Sequence, residues 1–234
     1  MARAKHTPEA DLPFGLPKVS ARKRTRAVAL LDALEAEYPD AHCELNYATP
    51  HELLVATILS AQSTDVGVNK ATPALFKQYP SPAALAKADL AEIETLIRSL
   101  GFFRSKALAV KESMTRVVEV YGGEVPRTMD DLLTLRGVAR KTANVVLGNA
   151  FGINVGIPVD THVQRLSRRF DLAPEGSNVA LIERHLMALF PRERWCKASH
   201  LLIWHGRRAC GAKVRACVHP ICTKFGTCCE TRSA

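Results

Sequence analysis

The sequence predicts an all-α protein, and three features carry that expectation. Apolar residues recur at three- and four-residue intervals in segment after segment, the period of one helix face. Prolines, glycines and Ser/Thr/Asp residues cluster between those segments, where helices start and stop. No stretch alternates apolar and polar residues around a tight turn in the manner of a β-hairpin.

Taken in order, residues 1–21 mix prolines with scattered basic side chains and read as a disordered basic arm. Over 22–38 the spacing is helical, with Ala27, Val28, Leu31 and Leu34 on one side and Asp32, Glu35 and Glu37 opposite. Thr49-Pro50-His51-Glu52 is a helix start, a hydroxyl cap followed by a proline in the first turn, where its missing N–H costs nothing. The helix it opens, over 53–61, is apolar nearly all round and belongs in a core. Pro73, Pro80, Pro82 and Gly101 punctuate short helices near 66–78, 82–86 and 89–99. A long amphipathic helix over 105–121 stops at Gly122-Gly123. Helices over 128–134, 140–150, 161–169, 178–189 and 195–206 complete the reading.

A chain of 234 residues, 47% hydrophobic and 24% charged, suits a soluble globular protein of one large or two modest domains. The formal net charge of +9 is unevenly spread. The first 26 residues carry seven Lys/Arg against two acids and residues 192–234 carry nine against two, so the remainder is net acidic. Two basic ends folded onto one face would suit a polyanion such as nucleic acid; a solvated basic tail is the plainer reading. Neither a signal-peptide core nor a membrane-length apolar run is visible, so a cytoplasmic, nucleoid-associated protein is expected. Seven cysteines in that compartment argue against a disulfide framework.

Chemistry concentrates in residues 134–162, TLRGVARKTANVVLGNAFGINVGIPVDTH. Gly137 marks a tight turn, after which Arg140-Lys141-Thr142-Ala143-Asn144 opens an apolar helix. Free backbone N–H groups at such a start can grip one phosphate, which positions a nucleic-acid backbone without reading its bases. A lysine amine, once neutral, can attack a sugar carbon and form a Schiff base, and a helix start beside an arginine is a setting that favours the neutral form. Asp160 follows nineteen residues after Lys141; it suits a partner carboxylate and equally an N-cap for the helix behind it. A DNA-binding protein without catalysis fits the hairpin as well.

Five of the seven cysteines fall within 210–229: Cys210, Cys217, Cys222, Cys228 and Cys229. Tight Cys-x-x-Cys pairs are absent, and gaps of six, four and five residues let a loop wrap a [4Fe–4S] cluster on four thiolates. A zinc site and reactive surface thiols remain as other readings. Cys43 and Cys196 stand alone and read as packing residues.

HELLVATILSAQSTD (51–65), RKTANVVL (140–147), VDTH (159–162) and a helix followed by spaced cysteines together resemble endonuclease III, the bifunctional pyrimidine-lesion glycosylases of the helix-hairpin-helix superfamily. The resemblance spans roughly residues 22–228. It implies two helical domains with a DNA-binding cleft between them. One is a six-helix barrel over 43–153 containing the helix-hairpin-helix; the other joins 22–42 to 154–234 and carries the [4Fe–4S] cluster. Carried over by position, Lys141 is the nucleophile and Asp160 its partner carboxylate. Arg136, Gly137, Ala139, Arg140 and His162 would contact DNA, and Cys210, Cys217, Cys222 and Cys228 would hold the cluster. Gln62 would hydrogen-bond the base orphaned by flipping and Phe102 would wedge between bases. Their plainer readings are a helix-end surface amide and a core aromatic. The implied protein is a monomer acting on double-stranded DNA containing oxidised pyrimidines or abasic sites. It would excise the base and cut the strand by β-elimination. A monofunctional adenine-type glycosylase shares the fold, but would not need Lys141.

Two departures from the family pattern stand out. Leu135-Arg136-Gly137-Val138-Ala139 replaces Leu-Pro-Gly-Val-Gly, and an alanine at the last position would cost about 1 kcal/mol if positive φ were required there. Four residues, rather than two, separate Cys217 from Cys222, and Cys229 competes with Cys228 as fourth ligand.

Overall fold

The computed structural model describes residues 12–214 and 216–227, and every regular element among them is helical. Two compact units share the chain, one formed by Cys43–Ile153 and the other by the segments that flank it.

The Cys43–Ile153 unit holds α2 (Pro50–Leu59), α3 (Asp65–Gln78), α4 (Pro82–Lys87), α5 (Leu90–Leu96), α6 (Phe103–Tyr121), α7 (Met129–Leu133) and α8 (Arg140–Phe151). Helix α2 is its axis: every residue from Leu53 to Leu59 is buried, as its unbroken apolar composition requires. The Thr49 hydroxyl caps it by accepting from the Glu52 N–H, and the Glu52 carboxylate reaches back to the Ala48 N–H at 2.6 Å. Helices α3, α6 and α8 pack around α2, with Ala107, Val110, Met114 and Val117 forming the buried stripe of α6.

In the other unit, α1 (Ala21–Glu37) lays Ala27, Leu30, Leu31 and Leu34 against α10 (Val179–Leu189) and α11 (Trp195–Arg208). Helix α9 (Thr161–Arg169) packs on α11, with Phe170 and Trp195 fully buried. Arg26 of α1 donates to the carbonyls of Phe170, at 2.8 Å, and of Phe225. The described segments before and after Cys43–Ile153 are thereby tied into one body.

Over most of their length the helices follow the sequence periodicity, with ends shifted by a few residues. The expected disordered arm needs correction where it is described. Leu12, Phe14, Leu16 and Val19 pack against the core, and Ser20 caps α1. Apolar side chains among the prolines give that stretch something to bury, and residues 1–11 lie outside the described residues. A 3-10 turn (Arg192–Arg194) and α12 (Pro220–Phe225) were not anticipated. The second has its own start signal, a His219 cap before a proline, inside a run of cysteines that points to metal rather than helix. Among the described residues no helix is long and apolar enough to cross a membrane.

Candidate functional site

The hairpin between α7 and α8 turns on one position that requires glycine. Gly137 has φ +78°, and a Cβ there would meet the Ala109 side chain at 3.1 Å and Ile58 at 3.3 Å, so only glycine fits. Ala139 has φ −97° and ψ 171°, ordinary extended backbone. The cost anticipated for alanine at this position therefore does not arise. Arg136 is exposed and ion-paired with Glu112 of α6 at 2.9 Å, and its carbonyl accepts from the Ser113 hydroxyl at 2.6 Å. Both contacts brace the turn on α6.

Ala139 is the N-cap of α8 and offers no side-chain acceptor. The first N–H of α8 to be taken up by a helical carbonyl is that of Ala143, on Ala139 at 3.0 Å. The Ala139 side chain offers no acceptor to the donors that precede Ala143, such as the Lys141 and Thr142 N–H groups. Lys141 is exposed, Arg140 is half-buried beside it, and the Lys141 ammonium enters none of the described hydrogen bonds or ion pairs.

Gln62 and Phe102 lie in the same unit as Lys141, and both adopt left-handed backbone, with φ of 53° and 58°. Asp171 is the only other non-glycine residue with positive φ among the described residues. Phe102 is 68% exposed, which removes the core-aromatic reading. Lys106, one turn into α6, is almost wholly buried and donates to the Ser63 hydroxyl at 2.6 Å, fastening the loop that presents Gln62. Burial pushes its ammonium below the usual lysine range. Sequence reasoning passed over Lys106, although it interrupts the apolar stripe of α6.

Asp160 and His162 belong to the other unit, at the start of α9. Asp160 is half-buried and caps the helix, accepting from the Val163 N–H at 2.8 Å. The N-cap reading therefore holds, and it leaves the second carboxylate oxygen outside the described hydrogen bonds. His162 is half-buried against α11: a Cβ on Gly206 would lie 3.1 Å from its Nδ1. Burial, outweighing the attraction of Asp160, lowers its pKa.

Helix α9 also grips the cysteine box. Arg165 donates to the carbonyls of Gly206 at 2.9 Å and Cys210 at 3.0 Å. Arg169, one turn later, donates to the Cys210 sulfur at 2.8 Å and to the Val214 carbonyl at 2.6 Å. Cys210, Cys217 and Cys222 are all buried, and the ligand atoms of His205, Cys210 and Cys222 lie within 4.8 Å of one another. The Cys222 thiol donating to Cys210, with Arg169 beside it, holds the Cys210 thiol well below its usual range; the same sharing and burial push Cys222 up. Buried soft donors around a guanidinium fit a thiolate-bound metal group. Thr227 bonds back to the Arg169 carbonyl at 2.8 Å, while Cys228 and Cys229 lie outside the described residues.

Known proteins resemble this chain over most of its length. Residues 55–192 match the family model described as HhH-GPD superfamily base excision DNA repair protein. Endonuclease III of Synechocystis sp. is 53% identical over 197 residues, which span 84% of this chain and 90% of that protein. Endonuclease III of Escherichia coli (strain K12) is 40% identical over 194 residues, 83% of this chain and 91% of that protein. Among solved structures, a trapped endonuclease III–DNA covalent intermediate, an estranged-adenine complex, superposes with a TM-score of 0.85 at 38% identity. That match covers 93% of this chain and 100% of the other.

Proposed function

The chain belongs to the endonuclease III family, and from that premise we propose that it removes oxidised pyrimidines from DNA and cuts the abasic strand through Lys141. The activity is that of a base-excision-repair DNA glycosylase and abasic-site lyase. The observation that carries the assignment of the amine is an exposed lysine at the uncapped start of α8, directly behind the Gly137 turn.

The hairpin serves as the phosphate grip, its N–H donors on one DNA phosphate with Arg136 and Arg140 adding charge. Phe102 enters the stack as an apolar plate and Gln62 pairs with the orphaned base, while the lesion leaves the helix. The neutral Lys141 amine attacks C1′ and the base departs with the bonding electrons. Asp160 stabilises the positive charge that builds on the sugar and accepts a proton released from the amine. Opening of the sugar ring leaves a Schiff base that acidifies C2′. Loss of a C2′ proton then expels the 3′ phosphate, which breaks the strand.

Cys210, Cys217 and Cys222, with a fourth thiolate from Cys228 or Cys229, would hold a [4Fe–4S] cluster. When bound, such a cluster cross-links the loop through iron–thiolate bonds and offers one-electron redox chemistry. This reading is supported by the three buried thiols and the guanidinium on Cys210. The protein would work as a monomer associated with the nucleoid.

An abasic duplex assayed in EDTA tests the central claim, because the Schiff-base route uses an amine and no divalent cation. The protein should nick the duplex and become covalently trapped on it by borohydride, and Lys141→Gln should lose both. Trapping that survives in Lys141→Gln would assign the attack to another amine.

A further inference from the structure

Resting on the cluster reading above, we propose that His205 is a positioning residue that donates a hydrogen bond to the cluster ligand Cys222 and is held in its donor tautomer by Tyr38. The His205 ring is fully buried in the last turn of α11. Its Nδ1 lies 3.0 Å from the Tyr38 hydroxyl and its Nε2 lies 3.1 Å from the Cys222 sulfur. Phe170 and His219 pack against the ring, at centroid distances of 5.8 and 5.0 Å, so it has little room to turn.

Proton counting then fixes the direction of both bonds. A neutral imidazole carries one N–H and one acceptor nitrogen. A metal-bound thiolate has no proton to give, so the N–H must sit on Nε2 and point at Cys222. Nδ1 is left as acceptor, and the Tyr38 hydroxyl is the group that donates to it. Cys210 receives the corresponding donor from Arg169. An N–H bond to a ligand sulfur favours the more negatively charged, reduced cluster, and so raises its potential.

Voltammetry on the intact, iron-loaded protein tests this, together with nitrogen-15 spectroscopy of the His205 ring. The wild-type ring should show a protonated Nε2 and a bare Nδ1. Against wild type, the potential of His205→Leu should move negative, that of Tyr38→Phe should move part of the way, and that of His205→Gln should recover part of the loss. Should His205→Leu fail to fold, the wild-type tautomer and Tyr38→Phe still decide. A proton found on Nδ1, or loaded variants with an unshifted potential, overturns the inference. Wild-type protein isolated under argon without iron and sulfide overturns the cluster reading instead, and this inference with it.

Discussion

Phe102 combines a left-handed backbone with an aromatic ring left largely in water, two costs that folding alone would not select. The wedge role proposed for Phe102 would account for both. Phe102→Gly should therefore leave urea stability unchanged or raised by up to about 1 kcal/mol, since glycine accepts that φ freely. The same change should slow excision from a lesion duplex at least tenfold. Asp160 separates its two roles in a similar way. Asn caps a helix about as well as Asp, so Asp160→Asn should keep the melting temperature and DNA affinity while base release slows strongly. A collapse of affinity would instead mean that the carboxylate chiefly holds the fold.

Helix α8 starts without the side-chain acceptor that α1, α2, α3, α9 and α10 all have. If a DNA phosphate completes that cap, supplying an internal one should compete with it. Ala139→Asp is expected to stabilise the protein by about 1 kcal/mol in urea titrations. It should also weaken binding to undamaged duplex and flatten its salt dependence, because one phosphate contact is lost. Helix α9 is the mechanical link of its unit. Asp160 stands at its first turn, and Arg165 and Arg169 reach from its far side to the carbonyl and sulfur of Cys210. One short helix thus carries both the carboxylate assigned to the chemistry and the arginines that hold the cysteine box.

For the whole molecule, His51, His162 and His185 shift in one direction, each held below the usual imidazole value of 6.5 chiefly by burial. A depressed pKa means that the unfolded chain binds more protons as the pH falls below 6.5. Their contribution to stability is complete above that value and is lost as the pH drops through the folded pKa values. The urea midpoint should accordingly hold steady between pH 7 and 8 and fall steadily from pH 6.5 to 5. A midpoint that rose on acidification would contradict the burial of these rings.

The sequence alone determined the helical class, the helix starts at Thr49 and Asp160, the place of Lys141 at the start of a helix and the crowding of cysteines after α11. Those features rest on short-range physics: a periodic apolar face, a capping oxygen three residues from its donor, a glycine at a turn. Tertiary structure alone decided that Ala109 and Ile58 fill the space a side chain on Gly137 would need while Ala139 stays extended, and that Lys106 is buried beneath the Gln62 loop. It also brought Tyr38 to His205 across 167 residues of chain, and Arg169 to Cys210 across 41. A buried polar group takes its partner from whichever distant segment packs against it, and no local pattern names that segment in advance.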